Sequence, residues 1–218
     1  MEFYIDTEFN DGKQDVTFLG IPYHKTTDIL DLISIGIVCG ESNKKYYAVS
    51  NEFNLEAAWH KEDGWLRANV LQPIHTELLK LYHDDNVIGT MDYEYTNFSI
   101  RSLKELLKMY GKDRETIASE IDEFIRNNKP RDERAQFYGW YSAYDWVAFC
   151  QLMGGMLNLP DGVNQHCIDL RESDCDTPYP MLLRMYLYIQ QIQVPYRTWP
   201  AFQRSSNSQF VFPKCCSL

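Results

Sequence analysis

The chain has 218 residues, of which 31 are acidic and 21 basic, so its formal net charge is −10 at pH 7. This length is enough for one domain with a sizeable hydrophobic core. The acidic balance excludes a protein that holds nucleic acid through a broad basic surface, because phosphate affinity comes mainly from Lys and Arg. It does not exclude a protein that acts on a polyanion, since divalent metal ions can neutralise the field at a site.

Targeting and redox features indicate a soluble cytoplasmic protein that does not enter a membrane. The first strand begins almost at once, without a basic and apolar leader, and no run of eighteen apolar residues occurs. The six cysteines have no CxxC spacing, so they are interpreted as reduced and structural.

The first part of the chain predicts an antiparallel β-meander. Three segments rich in Ile, Val, Phe and Tyr have the composition of strands: 2–9, 31–39 and 44–50. The insertion 10–28 between the first two is polar and interrupted by Gly and Pro, which predicts a loop beside the first strand's acids.

Helical periodicity dominates the middle of the chain. The apolar spacing over 55–81 is helical but is interrupted at Gly64 and Pro73. A second helix is predicted over 99–110, where Gly111 ends it, and a third follows Asp113 as its N-cap.

The later segments alternate between strand and helix. The pattern predicts a strand over 136–141, a helix over 142–155 and a strand over 166–170. The fold class is therefore α/β, a mixed sheet of an antiparallel three-strand meander and two further strands flanked by helices. The first strand is expected to lie centrally in this sheet.

Two acids interrupt the first strand, in the stretch FYIDTEF. Asp6 and Glu8 are two residues apart, so on a strand they face the same way and can converge on metal ions. Hard divalent cations prefer such carboxylate ligands, and two-metal phosphoryl chemistry needs several of them from separate chain positions. The alternative is a strand end whose acids are solvated or paired with a basic side chain.

A third acid, Asp145, stands near the start of the helix over 142–155. Ser142 is predicted to be the N-cap, with Asp145 at the third helical position where it can complete a capping box. The alternative to a metal role is thus an acid that stabilises the helix dipole. That alternative leaves the surrounding aromatic residues unexplained: Tyr138, Trp140, Tyr141, Tyr144 and Trp146.

These blocks together resemble the RNase H-like 3'-5' exoribonucleases of mycobacteria, bacteria and phages, within the DEDD exonucleases. The resemblance rests on FYIDTEF, DLISIGIVCGE, KYYAVSNEF, RSLKELLKMYGKDRETIASEIDEFI, FYGWYSAYDWVAFCQLMG and CIDLRE, which occur in the family's order over roughly 2–172. It implies that Asp6, Glu8 and Asp145 are metal ligands and catalytic residues. It also implies two Mg²⁺ or Mn²⁺ ions that activate a water against a 3'-terminal phosphodiester.

The aromatic residues divide into substrate-binding and core candidates. Phe9 and Tyr144 are predicted to stack on the terminal bases of single-stranded RNA or DNA, without reading sequence. Trp140 and Phe149 are predicted to pack in the core.

The C-terminus departs from the family. The family's final motif, His-Asn-Ala-Leu-x-Asp, supplies a general base and a fourth carboxylate, and no H-x4-D spacing follows Asp145. His166, the only late His, is interpreted as structural, and His24 with Asp28 has the wrong spacing. Asp174 and Asp176 are the candidate fourth ligands. The domain assignment is therefore 1–176 for the RNase H-like domain and 177–218 for an atypical tail.

One hypothesis for this departure is that the tail is read out of frame, since codons for 181–186 can be chosen so that another frame encodes most of the missing motif.

Two functions stay open: a metal-dependent 3'-5' exonuclease, and a nuclease-like domain that binds metal or nucleic-acid ends without turnover. The sequence leaves undecided the choice between RNA and DNA and the oligomeric state, of which a homodimer is one candidate.

Overall fold

The computed structural model of the protein describes residues 1–18, 21–62, 64–85 and 93–170; for residues 13–18, 21–29, 93 and 94 it describes the backbone alone. The predicted tail and the two candidate ligands Asp174 and Asp176 lie outside the described residues.

A five-stranded mixed sheet forms the centre of the described chain. Its strands are β1 (Glu2–Phe18), β2 (Ile21–Cys39), β3 (Lys45–Val49), β4 (Ala135–Gly139) and β5 (Val163–Asp169). They are ordered β3-β2-β1-β4-β5. The first three pair antiparallel, and β4 and β5 extend the sheet in parallel from β1. The predicted α/β class, with an RNase H-like arrangement and a central first strand, is confirmed.

Helices flank this sheet and follow its third and fourth strands. They are α1 (Leu55–Trp59), α2 (Gln72–Asp85), α3 (Tyr93–Thr96), α4 (Ile100–Tyr110), α5 (Arg114–Asn128) and α6 (Ser142–Leu152). A short π-helical segment, Arg67–Leu71, precedes α2, and a 3-10 turn, Met156–Asn158, follows α6.

Two hydrophobic clusters bury the sheet. One contains Phe3, Ile5, Ile35 and Ile37 of the central strands with the apolar residues of α5 and α6. The other joins residues of β2 and β3 to the apolar sides of α1, α2 and α4. The sheet is thus covered by helices on both sides, which is the reason that an acidic side chain on β1 needs a specific partner.

The helix ends follow the predicted chemistry for α4 and α5. Ser99 caps α4 in a reciprocal pair with Ser102, and Gly111 ends the helix. Asp113 caps α5 by accepting the backbone N–H of Thr116 at 2.6 Å. The predicted helix end at Gly111 and the predicted N-cap at Asp113 are confirmed, whereas the cap formed by Ser99 was not predicted. Each cap satisfies a backbone donor that the helix leaves without a partner.

The insertion 10–28 differs from its prediction. Instead of a loop, both of its sides continue as strand, and β1 and β2 pair from Phe3↔Cys39 out to Phe18↔Ile21. The pairing tolerates the irregular sequence through register shifts between Lys13 and Asp15 and between Val16 and Thr17. Polar, broken composition was the basis of the loop prediction, and backbone ladder bonds overrode it because they do not depend on side-chain polarity.

Pro73 also differs from its prediction, since it does not break the helix. It is the second residue of α2, directly after the π-helical segment. A proline ring cannot donate a backbone hydrogen bond and clashes with the carbonyl four residues earlier. A π-turn widens the helix ahead of the ring, which lets the chain continue without that bond.

Among the described residues, no helix is both long enough and apolar enough to cross a membrane. Three of the predicted reduced cysteines, Cys39, Cys150 and Cys167, are free thiols in the described part of the chain.

Candidate functional site

Asp6 and Glu8 lie on β1 just beyond the segment where it pairs with β4. That parallel ladder runs only from Glu2↔Gln136 to Tyr4↔Tyr138. Past it, β1 extends beyond the carboxyl end of its parallel partner β4, at the edge of the sheet where open α/β sheets bind ligands. Both acids are half-buried there.

The start of α6 brings the third acid to the same part of β1. The turn after β4 is so tight that a Cβ placed on Gly139 would approach the Cβ of Ser142 to 2.8 Å. Tyr141 takes up the turn with a left-handed backbone, φ +59°, and is the N-cap residue. The predicted N-cap at Ser142 is therefore wrong: Ser142 is the first residue of the helix, and Tyr141 makes no side-chain cap bond.

Asp145 is buried and bonds to the central strand. Its Oδ1 accepts hydrogen bonds from the Thr7 backbone N–H at 2.9 Å and from the Thr7 hydroxyl at 2.6 Å. Because β4 no longer pairs with β1 at this point, the carboxylate takes the place of a neighbouring strand for that N–H. Oδ1 of Asp145 therefore bonds to Thr7, and not to the start of α6 as the alternative capping-box role would require.

Thr7 stands between the two strand acids, and its side chain points to the opposite face from theirs. Asp145 therefore approaches β1 from the Thr7 side, at the strand's open edge. The charge of Asp145 still raises the pKa of Glu8, and the charge of Asp6 raises the pKa of Asp145.

Burial and neighbouring charge raise the pKa values of Glu8 and Asp145. Burial first, then the charges of Asp6 and Asp145, raise the pKa of Glu8 well above its usual value. Burial and the charge of Asp6 raise the pKa of Asp145 to about 7, although the two Thr7 hydrogen bonds oppose this. The three acids thus lie within electrostatic reach of one another, an arrangement that costs free energy unless a cation or protons compensate it.

A fourth carboxylate near the site escaped the sequence analysis. Asp169 is the last residue of β5, and its charge also raises the pKa of Asp145. The sequence carried one signal for it, an acid at the end of a predicted strand parallel to β4. Without the strand order, nothing distinguished this acid from one that faces solvent.

The donor set suits a hard divalent ion, since it consists of carboxylates that are partly or fully withdrawn from water. Within the residues that the structure describes, however, no three His, Cys, Asp or Glu side chains form a group arranged to hold a metal ion. The acids interact electrostatically, and their role as metal ligands stays a prediction.

The two predicted stacking residues meet at the edge of the site. The rings of Phe9 and Tyr144 lie 5.9 Å apart at an angle of 34°, and Tyr144 is 61% exposed. A β-bulge between Glu8 and Phe9 shifts the register of β1 against β2 at this point. Together the two rings form an accessible aromatic surface beside the acids.

The two predicted core aromatics have different environments. Phe149 is fully buried against Phe137 and Trp146, as predicted. Trp140 is half-buried and contacts the ring of Tyr141 edge-on at 6.4 Å. The side chain of His166 is exposed on β5, and those of His24 and Asp28 lie outside the described set.

Comparison with known proteins finds relatives of one kind. Two curated proteins of Mycobacterium tuberculosis, from strain CDC 1551 / Oshkosh and strain ATCC 25618 / H37Rv, are each named a 3'-5' exoribonuclease. The present chain is 28% identical to each over 173 residues, which is 79% of this chain and 73% of each relative. No protein-family model matches the chain.

Proposed function

We propose that this protein is a metal-dependent 3'-5' exonuclease that acts on single-stranded RNA. The observation that carries the proposal is the attachment of Asp145 to Thr7, which fixes a third carboxylate beside Asp6 and Glu8 at the carboxyl ends of the parallel strands. The mycobacterial relatives, by their name, support the direction of hydrolysis and the choice of RNA.

Asp6, Glu8 and Asp145 would hold two Mg²⁺ or Mn²⁺ ions, with Asp174 or Asp176 as the candidate fourth ligand. Such ions supply a nucleophilic water at neutral pH and stabilise the leaving 3'-oxygen. The carboxylates contribute the charge that binds the ions, while burial first and the neighbouring acids second raise the pKa values of Glu8 and Asp145. Thr7 holds one oxygen of Asp145, which limits the directions that the carboxylate can take.

Phe9 and Tyr144 would bind the terminal nucleotides by stacking. Each base on an aromatic ring contributes roughly 1 to 3 kcal/mol, independent of base identity. This mode of binding suits a protein of net charge −10, since it does not depend on a basic surface.

A second candidate function is a nuclease-like domain that binds metal or RNA ends without turnover. One observation favours it: no His-x4-Asp spacing follows Asp145 in the sequence. Loss of a general base alone typically costs about 10² to 10⁴ in rate.

The deciding experiment incubates the purified protein with single-stranded RNA labelled at the 5' end, in Mn²⁺, in Mg²⁺ and in EDTA. A ladder that shortens from the 3' end only with metal supports the exonuclease. RNA that is bound but stays intact with metal supports the second candidate, and cleavage in EDTA contradicts the metal mechanism. The same RNA with a 3'-phosphate, and a DNA of equal sequence, test the end and the sugar.

A further inference from the structure

Tyr47 lies in the same cross-strand row as Asp6. The register of the sheet pairs Asp6 with Gly36, and Gly36 with Tyr47. Residues in one such row point to the same face of the sheet. Because glycine has no side chain, the middle position of the row places nothing between the tyrosine and the acid.

The neighbouring row brings a second hydroxyl to the same face. Ser34 pairs directly with Glu8 and is buried. The Ser34 hydroxyl lies within hydrogen-bonding reach of the Tyr47 phenol, and the charges of Glu8, of Glu77 on α2 and of Asp6 act on that phenol. The phenol therefore reaches from β3 across β2 toward both acids of β1.

The chemistry of this phenol is that of a neutral donor. A tyrosine hydroxyl keeps its proton at neutral pH, and here burial and the nearby acids raise its pKa further. When Ser34 donates to the phenol oxygen, the phenol's own proton is left for another acceptor. The residue is 40% exposed, so a ligand beside the strand acids can approach it.

We propose that Tyr47 positions the substrate by donating a hydrogen bond to a non-bridging oxygen of the 3'-terminal phosphodiester of bound single-stranded RNA. This inference rests on the proposed function. A phosphodiester brought beside Asp6 and Glu8 meets like charge, and a neutral hydroxyl gives its oxygen a favourable partner without adding to that charge. Nothing in the sequence pattern indicated this role, since Tyr47 stood only as one residue of a predicted strand.

Binding measurements test the contact without requiring turnover. Fluorescence anisotropy with a 5'-labelled short RNA, in Ca²⁺, gives the Kd of the wild type, of Tyr47→Phe and of Tyr46→Phe. Tyr46 is the matched control, since it lies on the opposite face and donates its hydroxyl to Glu120 at 2.9 Å. We expect Kd to rise on the order of tenfold or more for Tyr47→Phe, the scale of a hydrogen bond to a charged group, and to stay unchanged for Tyr46→Phe.

A second RNA identifies the acceptor. Its last linkage is a methylphosphonate, used as its two separated diastereomers, because each one replaces a different non-bridging oxygen by a methyl group. The difference in Kd between wild type and Tyr47→Phe should shrink to nearly nothing in the diastereomer that lacks the contacted oxygen. A difference of equal size on the unmodified RNA and on both diastereomers overturns the proposal, because Tyr47 would then act through Glu8 or through packing. Equal Kd values for wild type and Tyr47→Phe on the unmodified RNA overturn it as well.

The same measurements separate this inference from the proposed function. If the wild type and Tyr47→Phe bind the unmodified RNA with equal affinity, only the tyrosine contact is refuted. A wild type that fails to bind RNA at all refutes both. Ser34→Ala, which removes the hydrogen-bond partner of the phenol, is expected to raise Kd in the same direction by a smaller factor.

Discussion

At the scale of single residues, the site depends on where carboxylate charge is held. Asp6 is the acid whose charge raises the pKa of both Glu8 and Asp145. It therefore occupies the electrostatic centre of the group. Removing its charge should weaken metal binding and relieve repulsion at the same time.

Asp6→Asn keeps the shape of the side chain and one oxygen. We expect exonuclease activity to fall by at least about 10²-fold, the scale of losing one essential catalytic group. The melting temperature in EDTA should stay the same or rise, because the metal-free acids repel one another. Metal-dependent cleavage that survives the substitution would contradict a ligand role, and a variant that unfolds would identify Asp6 as a structural acceptor.

Thr7 is expected to orient Asp145. Thr7→Val removes the hydroxyl that donates at 2.6 Å but keeps the backbone N–H and the branched shape. Supporting residues of this type typically account for about 10 to 100-fold in metal affinity or activity. Titration of activity with Mn²⁺ should therefore shift to higher metal concentration, and Thr7→Ser should behave as the wild type.

Two substitutions at Asp145 separate its charge from its role as an acceptor. Asp145→Asn can still accept from Thr7 and should keep or raise the melting temperature in EDTA. Asp145→Ala leaves a buried N–H without its partner, which costs roughly 1 to 3 kcal/mol. Thermal melts in EDTA should rank alanine lowest, and equal melting temperatures for the two variants would count against the structural bond.

At the scale of elements, the turn between β4 and α6 determines where Asp145 lies. Gly139→Ala would bring a methyl group to 2.8 Å from the Cβ of Ser142 and 3.2 Å from its Cα. Overpacking of this kind typically costs about 1 to 3 kcal/mol, and the start of α6 must move to relieve it. We expect lower stability and, at a temperature where the variant is folded, lower activity.

A second change tests that explanation. Gly139→Ala combined with Ser142→Gly removes the side chain that the new methyl would meet, so activity should recover in part. If both single variants fold but the double variant recovers no activity, the cause of the defect lies outside this turn.

The elements that the sequence predicted were those with a strong local signal. The apolar stripe of α5 and its N-cap Asp113 specify this helix through neighbours a few residues away, so periodicity and cap chemistry predicted it. The strand acids Asp6 and Glu8 were found because a charge inside an apolar strand is conspicuous. Their predicted role as ligands has not been tested by the structure.

The features that the sequence missed depend on distant partners. Tyr141 takes the cap position because the turn after Gly139 is tight, and no residue near Ser142 reports this. Asp169 joins the site only through the parallel pairing of β4 and β5. The strands over 10–18 and 21–28 arise from pairing with each other, which outweighs a composition typical of loops.

At the scale of the whole molecule, the acids make stability depend on pH when metal is absent. The folded state keeps a proton on Asp145 up to about pH 7, whereas the unfolded state releases it near its ordinary value of 3.8. The folded state therefore binds more protons between these values, and stability falls as pH rises through this range. The raised pKa of Glu8 acts in the same direction.

Metal should reverse this trend. In EDTA, we expect the melting temperature to fall from pH 5 to pH 8, and to fall less in Asp145→Asn. Mn²⁺ binds the ionised acids of the native state only, so it should raise the melting temperature most at the higher pH. A melting temperature that does not respond to Mn²⁺ at pH 8 would contradict the proposed metal site.

The central position of β1 also has a consequence for the order in which the protein folds. Its partners on one side follow directly in the chain, but the bond from Thr7 to Asp145 joins residues 138 positions apart. Contacts between such distant residues close a large loop, and folds rich in them form slowly. During synthesis, the meander can form long before Asp145 leaves the ribosome. Asp145 therefore bonds to Thr7, between the two acids of the first strand, only when most of the described chain has been made.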